Sequence, residues 1–233
     1  MNHYTYFIIL LATVIFPFVY SFEGKRIAFY TKWKYLFPSL MVTAALFVVW
    51  DYYFTKWGVW GFNPQYITGV KLLNLPVEEV LFFITIPFSC IFIYEAVGYY
   101  FPGPIMPNHS VKLALALSCL FVIVAACNLD KLYTAAAFGC AAFLLLMHSM
   151  LYYNKFLGKF FLMYLFHLVP FFIVNGFLTY LPVVIYNDTQ NMGIRLGSIP
   201  LEDSVYSLSL LLINVTIYEA LKATYHYKIK YHA

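Results

Sequence analysis

At 233 residues the chain is 63% apolar and 21% aromatic, and only 10% of its residues are charged, against about 25% charged in an average soluble domain. That supply of polar side chains is too small to cover a water-soluble globule, so lipid must be the solvent for most of the chain. The net charge of +4 is scattered along the sequence; it gives no argument for a nucleic-acid partner and serves instead to orient the chain in a bilayer.

A helix needs about 20 mostly apolar residues to cross a hydrocarbon core about 30 Å thick. Seven stretches come close: 3–20, 35–53, 77–97, 110–128, 131–150, 160–180 and 201–221. The expected fold is therefore all-α and polytopic. The first stretch lacks a basic n-region and a clear small-residue cleavage site and contains Pro17, so it is expected to be a retained helix rather than a signal peptide. Alternate loops place Lys25, Arg26, Lys32, Lys34, Lys112, Lys155, Lys159, Lys222, Lys228 and Lys230 on one side, and Lys56, Lys71, Lys131 and Arg195 on the other. The richer side is expected to be cytoplasmic, which puts the N-terminus outside the cell membrane and the C-terminus inside. Cys90, Cys119, Cys127 and Cys140 show no Cys-x-x-Cys spacing, so neither a disulfide framework nor a zinc site is suggested.

Sliding the chain against itself exposes a repeat displaced by 124 residues. Pro76-Val77-Glu78-Glu79 returns as Pro200-Leu201-Glu202-Asp203, and Ile93-Tyr94-Glu95-Ala96 as Ile217-Tyr218-Glu219-Ala220. In the same register Asn63 falls on Asn187, Gly69 on Gly193, Lys71 on Arg195 and Asp51 on Asn175. The expected organisation is a first three-helix repeat at 1–100, a connecting helix at 101–130 and a second three-helix repeat at 131–233. Three spans is an odd number, so one extra helix gives both repeats the same orientation and lets the two acidic motifs meet on the non-cytoplasmic side.

Proline suits the first helical position and acidic residues complement the helix dipole, which accounts for one isolated Pro-x-Glu-Glu. Two copies at matched depth near lipid argue for more, because intramembrane acids are costly and usually face the bundle interior. Residues four apart share a helix face, which puts Phe82 beside Glu78 and Tyr206 beside Glu202, and Phe83 beside Glu79 but only Ser207 beside Asp203. Glu78 and Glu202 are thus the better matched pair. A carboxyl among aromatic rings in a dry pocket suits proton donation to a carbon–carbon double bond, with ring faces steadying the resulting cation.

The Pro76, Glu78, Glu79 and Pro200, Glu202, Asp203 motifs resemble the mark of the small integral-membrane lycopene cyclases, made either as two three-helix subunits or as one fused chain. Trp50-Asp51, Asn175-Gly176, Tyr186-Asn187 and Arg195 are also similar, no motif position departs from the pattern, and the resemblance extends over essentially the whole chain. It implies a redox-neutral isomerase: a terminal double bond of lycopene is protonated, the neighbouring double bond closes a six-membered ring, and loss of a proton gives a β-ionone end. Two rounds take lycopene through γ-carotene to β-carotene. On this basis Glu78 and Glu202 are the expected acid and cation-stabilising carboxylates, with Glu79 and Asp203 as partners or final proton acceptors. The resemblance implies lycopene or a related linear carotenoid as substrate, the bilayer as surroundings, and other carotenoid-pathway enzymes as further partners. No Gly-x-Gly-x-x-Gly turn is present, so no flavin is expected, and no metal.

Several residues have two readings. Asp51 and Asn175 either line the site or bond loop backbone; Lys71 and Arg195 either hold a motif carboxylate ionised or sit as rim charges in water. Glu95 and Glu219 lie about 25 Å along their helices from the motifs at 1.5 Å per residue, where a structural pairing with Lys222 is expected. His148 and His167 are expected to hydrogen-bond between helices. The many Phe and Tyr are expected to face lipid and its interfaces rather than to box a cation. Rival functions are a proton-coupled transporter and cyclisation of another carotenoid, such as a C50 chain.

Overall fold

The computed structural model describes residues 3–107, 109–151 and 156–232. Lys155, counted among the basic loop residues, lies outside these, as do the side chains of Lys228 and Lys230. Among the described residues seven α-helices account for most of the chain: α1 (Thr5–Tyr20), α2 (Trp33–Lys56), α3 (Val77–Tyr100), α4 (Ser110–Cys127), α5 (Leu132–Leu151), α6 (Leu157–Tyr180) and α7 (Leu201–His232). Six are long and apolar enough to cross a membrane, and α1, with 16 residues, is shorter. The chain is thus an all-α polytopic membrane protein, as its composition requires. α7 runs on past the apolar stretch that ends near residue 221, because hydropathy marks where lipid ends and not where helical hydrogen bonding does.

Proline shapes the packing. Pro17 has no N–H to give the carbonyl of Thr13, and that carbonyl instead accepts from Ser89 Oγ of α3 at 3.1 Å, which joins α1 to α3 through a group the helix itself leaves unpaired. α1 packs on α3 and α5 on α7; α2 packs on α7 and α6 on α3; α4 lies against α5. The central core comes from α2, α3, α5, α6 and α7, with Leu36, Ile91, Leu145, Phe160 and Leu212 at its heart.

Among the described residues six short strands cover one end of the bundle: β1 (Trp60–Phe62), β2 (Lys71–Leu72), β3 (Leu75–Pro76), β4 (Val184–Tyr186), β5 (Arg195–Leu196) and β6 (Ile199–Pro200). β2 with β3 and β5 with β6 form two antiparallel hairpins leading into α3 and α7. β1 pairs antiparallel with β4 through Trp60 opposite Tyr186, Gly61 opposite Ile185 and Phe62 opposite Val184, so the two loops are joined across the halves. Backbone bonds recur at the 124-residue offset. Val77 N–H gives to Val70 O at 2.9 Å and Leu201 N–H to Ile194 O at 3.0 Å; Asn63 N–H gives to Val183 O and Asn187 N–H to Val59 O, both at 2.9 Å. This end cap brings the starts of α3 and α7 together.

Candidate active site

Beneath the β1–β4 ladder lies a cavity of about 310 Å³, walled by α1, α3, α6 and α7. Its inner end holds three carboxyl groups, Asp51, Glu79 and Asp203, ringed by Tyr6, Trp60, Tyr133, Tyr186 and Tyr206. The rest of the lining is mostly apolar, including Phe82, Ile86, Phe171 and Leu211.

The two motif copies hold their acids alike. Tyr6 OH donates to Glu79 Oε2 at 2.6 Å, while Tyr133 OH gives to Asp203 Oδ1 at 2.6 Å and Tyr186 OH to Asp203 Oδ2 at 2.8 Å. The first acid of each motif turns the other way. Glu78 Oε1 accepts the backbone N–H of Thr68 at 2.6 Å; its counterpart Glu202 Oε1 accepts the N–H of Met192 at 2.8 Å and Thr134 Oγ1 at 2.6 Å. Both are fully buried, and neither lines the cavity.

Glu78 and Glu202, the better matched pair by sequence and the expected acid and stabilising carboxylates, thus lie outside the cavity lining, and the motif acids that line it are Glu79 and Asp203. Adjacent residues on a helix point about 100° apart at 3.6 residues per turn, so only one acid of each motif faces inward. Phe82 and Tyr206 do line the cavity, but as i+3 neighbours of Glu79 and Asp203 rather than i+4 neighbours of Glu78 and Glu202. Pro76 and Pro200 are buried at the ends of β3 and β6, where Pro76 stands immediately before α3 with ψ at 145°.

Asp51 and Asn175 both reach the cavity. Asp51 is 2% exposed, has the Trp60 indole as a hydrogen-bonding neighbour, and among the described residues no donor reaches its Oδ2. Lys71 and Arg195 stay at the rim. Lys71 is exposed on β2; Arg195 is ion-paired with Asp188 and donates to Ser198 O at 2.9 Å. The Asn191 amide, with Arg195, holds the Asp188 carboxyl below its usual range.

Away from the acids, the Cys90 thiol on α3 and His167 Nδ1 on α6 lie 3.2 Å apart, and His148 Nε2 on α5 lies 2.6 Å from Thr216 Oγ1 on α7. Both histidines link helices as expected. At the far end Lys222 Nζ bridges Glu95 at 3.0 Å and Glu219 at 3.3 Å.

The phenols of Tyr6 and Tyr133 are the part of the site that the sequence reading missed, and the expectation that tyrosines mainly face lipid is wrong for this cluster. Their signal was present but out of register. Tyr6 N–H bonds Tyr66 O at 3.1 Å and Tyr133 N–H bonds Gln190 O at 2.9 Å; the acceptors are 124 residues apart, but the tyrosines are 127 apart, one helical turn off the gapless offset.

Chemically, the inner chamber pairs carboxyl groups able to give and take a proton with ring faces able to stabilise a carbocation, at the end of a cavity whose lining is mostly apolar. No curated protein and no solved structure matches the chain. The family model described as Lycopene cyclase matches twice, over residues 3–97 and again over 130–221, leaving α4 between the two matches. Each matched segment contains one acidic motif together with the tyrosine that bonds its inward-facing carboxylate. The chain belongs to the lycopene cyclase family, a family of enzymes acting on carotenoids in membranes.

Proposed function

We propose that the chain converts the linear ends of lycopene into β-ionone rings by an acid-initiated isomerisation. The observation that carries this reading is the placement of Glu79 and Asp203, one from each motif, at the aromatic end of one apolar cavity. Glu79, with a single phenol donor, is assigned the acid. Its O–H proton forms a C–H bond at the terminal double bond and leaves a tertiary cation. The electron pair of the neighbouring double bond closes the six-membered ring and moves the cation into it. Asp203, held by two phenols, is assigned the anion that steadies the cation and takes the ring proton, restoring a double bond. Composition is unchanged, so the step needs no oxidant or reductant. The apolar walls keep out water that would trap the cation as an alcohol.

Glu78 and Glu202 are assigned the loop clamps that fix their neighbours' direction. We further infer that residues 1–100 and 131–233 act as two repeats with the same orientation, joined through 101–130. The excess of basic residues at the Glu95 end supports a cytoplasmic position for that end in the cell membrane, with the carboxylate chamber toward the outer face.

Expression in a bacterium that accumulates lycopene, followed by chromatography of its pigments, tests the activity. Ringed products are expected. Unchanged lycopene, with the protein verified in the membrane, rejects the reading.

A further inference from the structure

The two halves share a framework but differ in one groove. At the 124-residue offset the contact between Cys90 and His167 has its counterpart in Asn214 Nδ2 giving to Thr43 Oγ1 at 3.1 Å, so equivalent helices meet at equivalent depth. Between these landmarks and the carboxylates, the cavity is walled by Val174 and Ser207. Their counterparts are Trp50 and Phe83, and there the space is filled. Phe47 and Trp50 stack with centroids 5.9 Å apart and planes 1° apart. Phe83 is 1% exposed and packs on Phe47, Ala44 and Leu210. Neither Phe47, Trp50 nor Phe83 lines the cavity.

The open groove also has an outlet. It continues along α3 from Glu79 to Ile93, a reach of about 21 Å at 1.5 Å per residue, and ends beside Phe16, which is 57% exposed. α1 and α6 make little contact with one another, and each brings a proline, Pro17 and Pro170, to the lining.

We propose that this groove is the single polyene tunnel, entered from the lipid between α1 and α6, and that the Phe47, Trp50 and Phe83 plug closes its counterpart. The inference rests on the cyclase reading. One end of a linear carotenoid then reaches Glu79 and Asp203 while its remainder passes out beside Phe16. A second ring requires the molecule to withdraw, reverse and re-enter. Val174 and Ser207 are the residues whose small size keeps the tunnel open.

The test rebuilds the plug on the open side with Val174→Trp and Ser207→Phe. At equal membrane abundance and unchanged elution in detergent, ring formation is expected to fall at least about tenfold. Lycopene retained through purification, read by its visible absorbance, is expected to fall in parallel. Val174→Phe alone, a milder change, is expected to give an intermediate loss of both, which keeps the test sound where the double variant does not fold. Phe83→Leu, on the plugged side, is expected to leave conversion within about twofold. A folded double variant that binds and converts lycopene like the original chain overturns the tunnel, and so does selective loss in Phe83→Leu. If the unaltered chain binds lycopene without ringing it, the cyclase reading fails, whereas the binding comparison still decides the tunnel.

Discussion

Two neighbouring acids in each motif have opposite surroundings, and the separate roles proposed for them rest on this difference. Glu79 and Asp203 receive tyrosine hydroxyls inside the cavity; Glu78 and Glu202 receive backbone N–H groups from the loops that precede them. Replacing a proton-transferring carboxyl by its amide removes general acid or base action worth about 10²–10⁴ in rate. Glu79→Gln and Asp203→Asn are therefore expected to lower conversion at least about 100-fold, measured as ringed product per membrane protein. Glu78→Gln and Glu202→Gln keep an acceptor for the same N–H, and are expected to retain more than about a tenth of the activity while costing about 1 kcal/mol in stability. The reverse ranking defeats the assignment. Tyr186→Phe takes one of two donors from Asp203, and a fall of about tenfold is expected, the equivalent of about 1.4 kcal/mol; an unchanged rate removes the phenol from the mechanism.

The hairpins before α3 and α7 are built alike but not from the same residues. Leu73 holds φ at +57°, and its counterpart Gly197 holds +67°. Outside glycine that conformation costs about 1–2 kcal/mol, and Leu73, 74% exposed at the turn, buries little surface to offset it. Leu73→Gly is expected to be neutral or to stabilise by up to about 1 kcal/mol, whereas Gly197→Leu is expected to destabilise by about 1–2 kcal/mol; thermal melts of the purified variants check both. Single-sequence reasoning matched the two loops and the motif helices because the loop asparagines, Gly69 with Gly193 and the acidic motifs keep one offset without a gap, but hydropathy and repeat alone did not announce the two-residue strands of these hairpins. It favoured Glu78 and Glu202 over the two acids that line the cavity because both acids fit a first helical turn, and only the loop N–H groups decide which one turns to the backbone. It passed over Tyr6 and Tyr133 because the third helical pair is shifted by one turn, which preserves a helix face but breaks a linear alignment.

On the scale of the molecule, the two ends of α3 and α7 have separate duties. One end gathers carboxylates under a small sheet; the other is locked by Glu95, which accepts from Lys222 Nζ and Tyr218 OH, both at 3.0 Å, with Lys159 Nζ at 3.8 Å. The lock joins α3, α6 and α7, so it resists separation of the halves where the β1–β4 ladder does not reach. Lys222→Met leaves Glu95 with Tyr218 and the longer Lys159 contact, an incomplete loss expected to cost about 1–3 kcal/mol. For a chain of this size each kcal/mol lowers the melting midpoint by about 2–4 °C, so a fall of several degrees in detergent is expected. Glu95 is about 24 Å along α3 from Glu79 at 1.5 Å per residue, too far for either carboxyl group to touch the other or its hydrogen-bond partners. Below the lowered midpoint, ring formation per folded molecule is therefore expected to stay within about twofold of the original. A collapse in turnover without any loss of thermal stability would instead tie the two ends together electrostatically, and the division of labour along α3 and α7 would have to be abandoned.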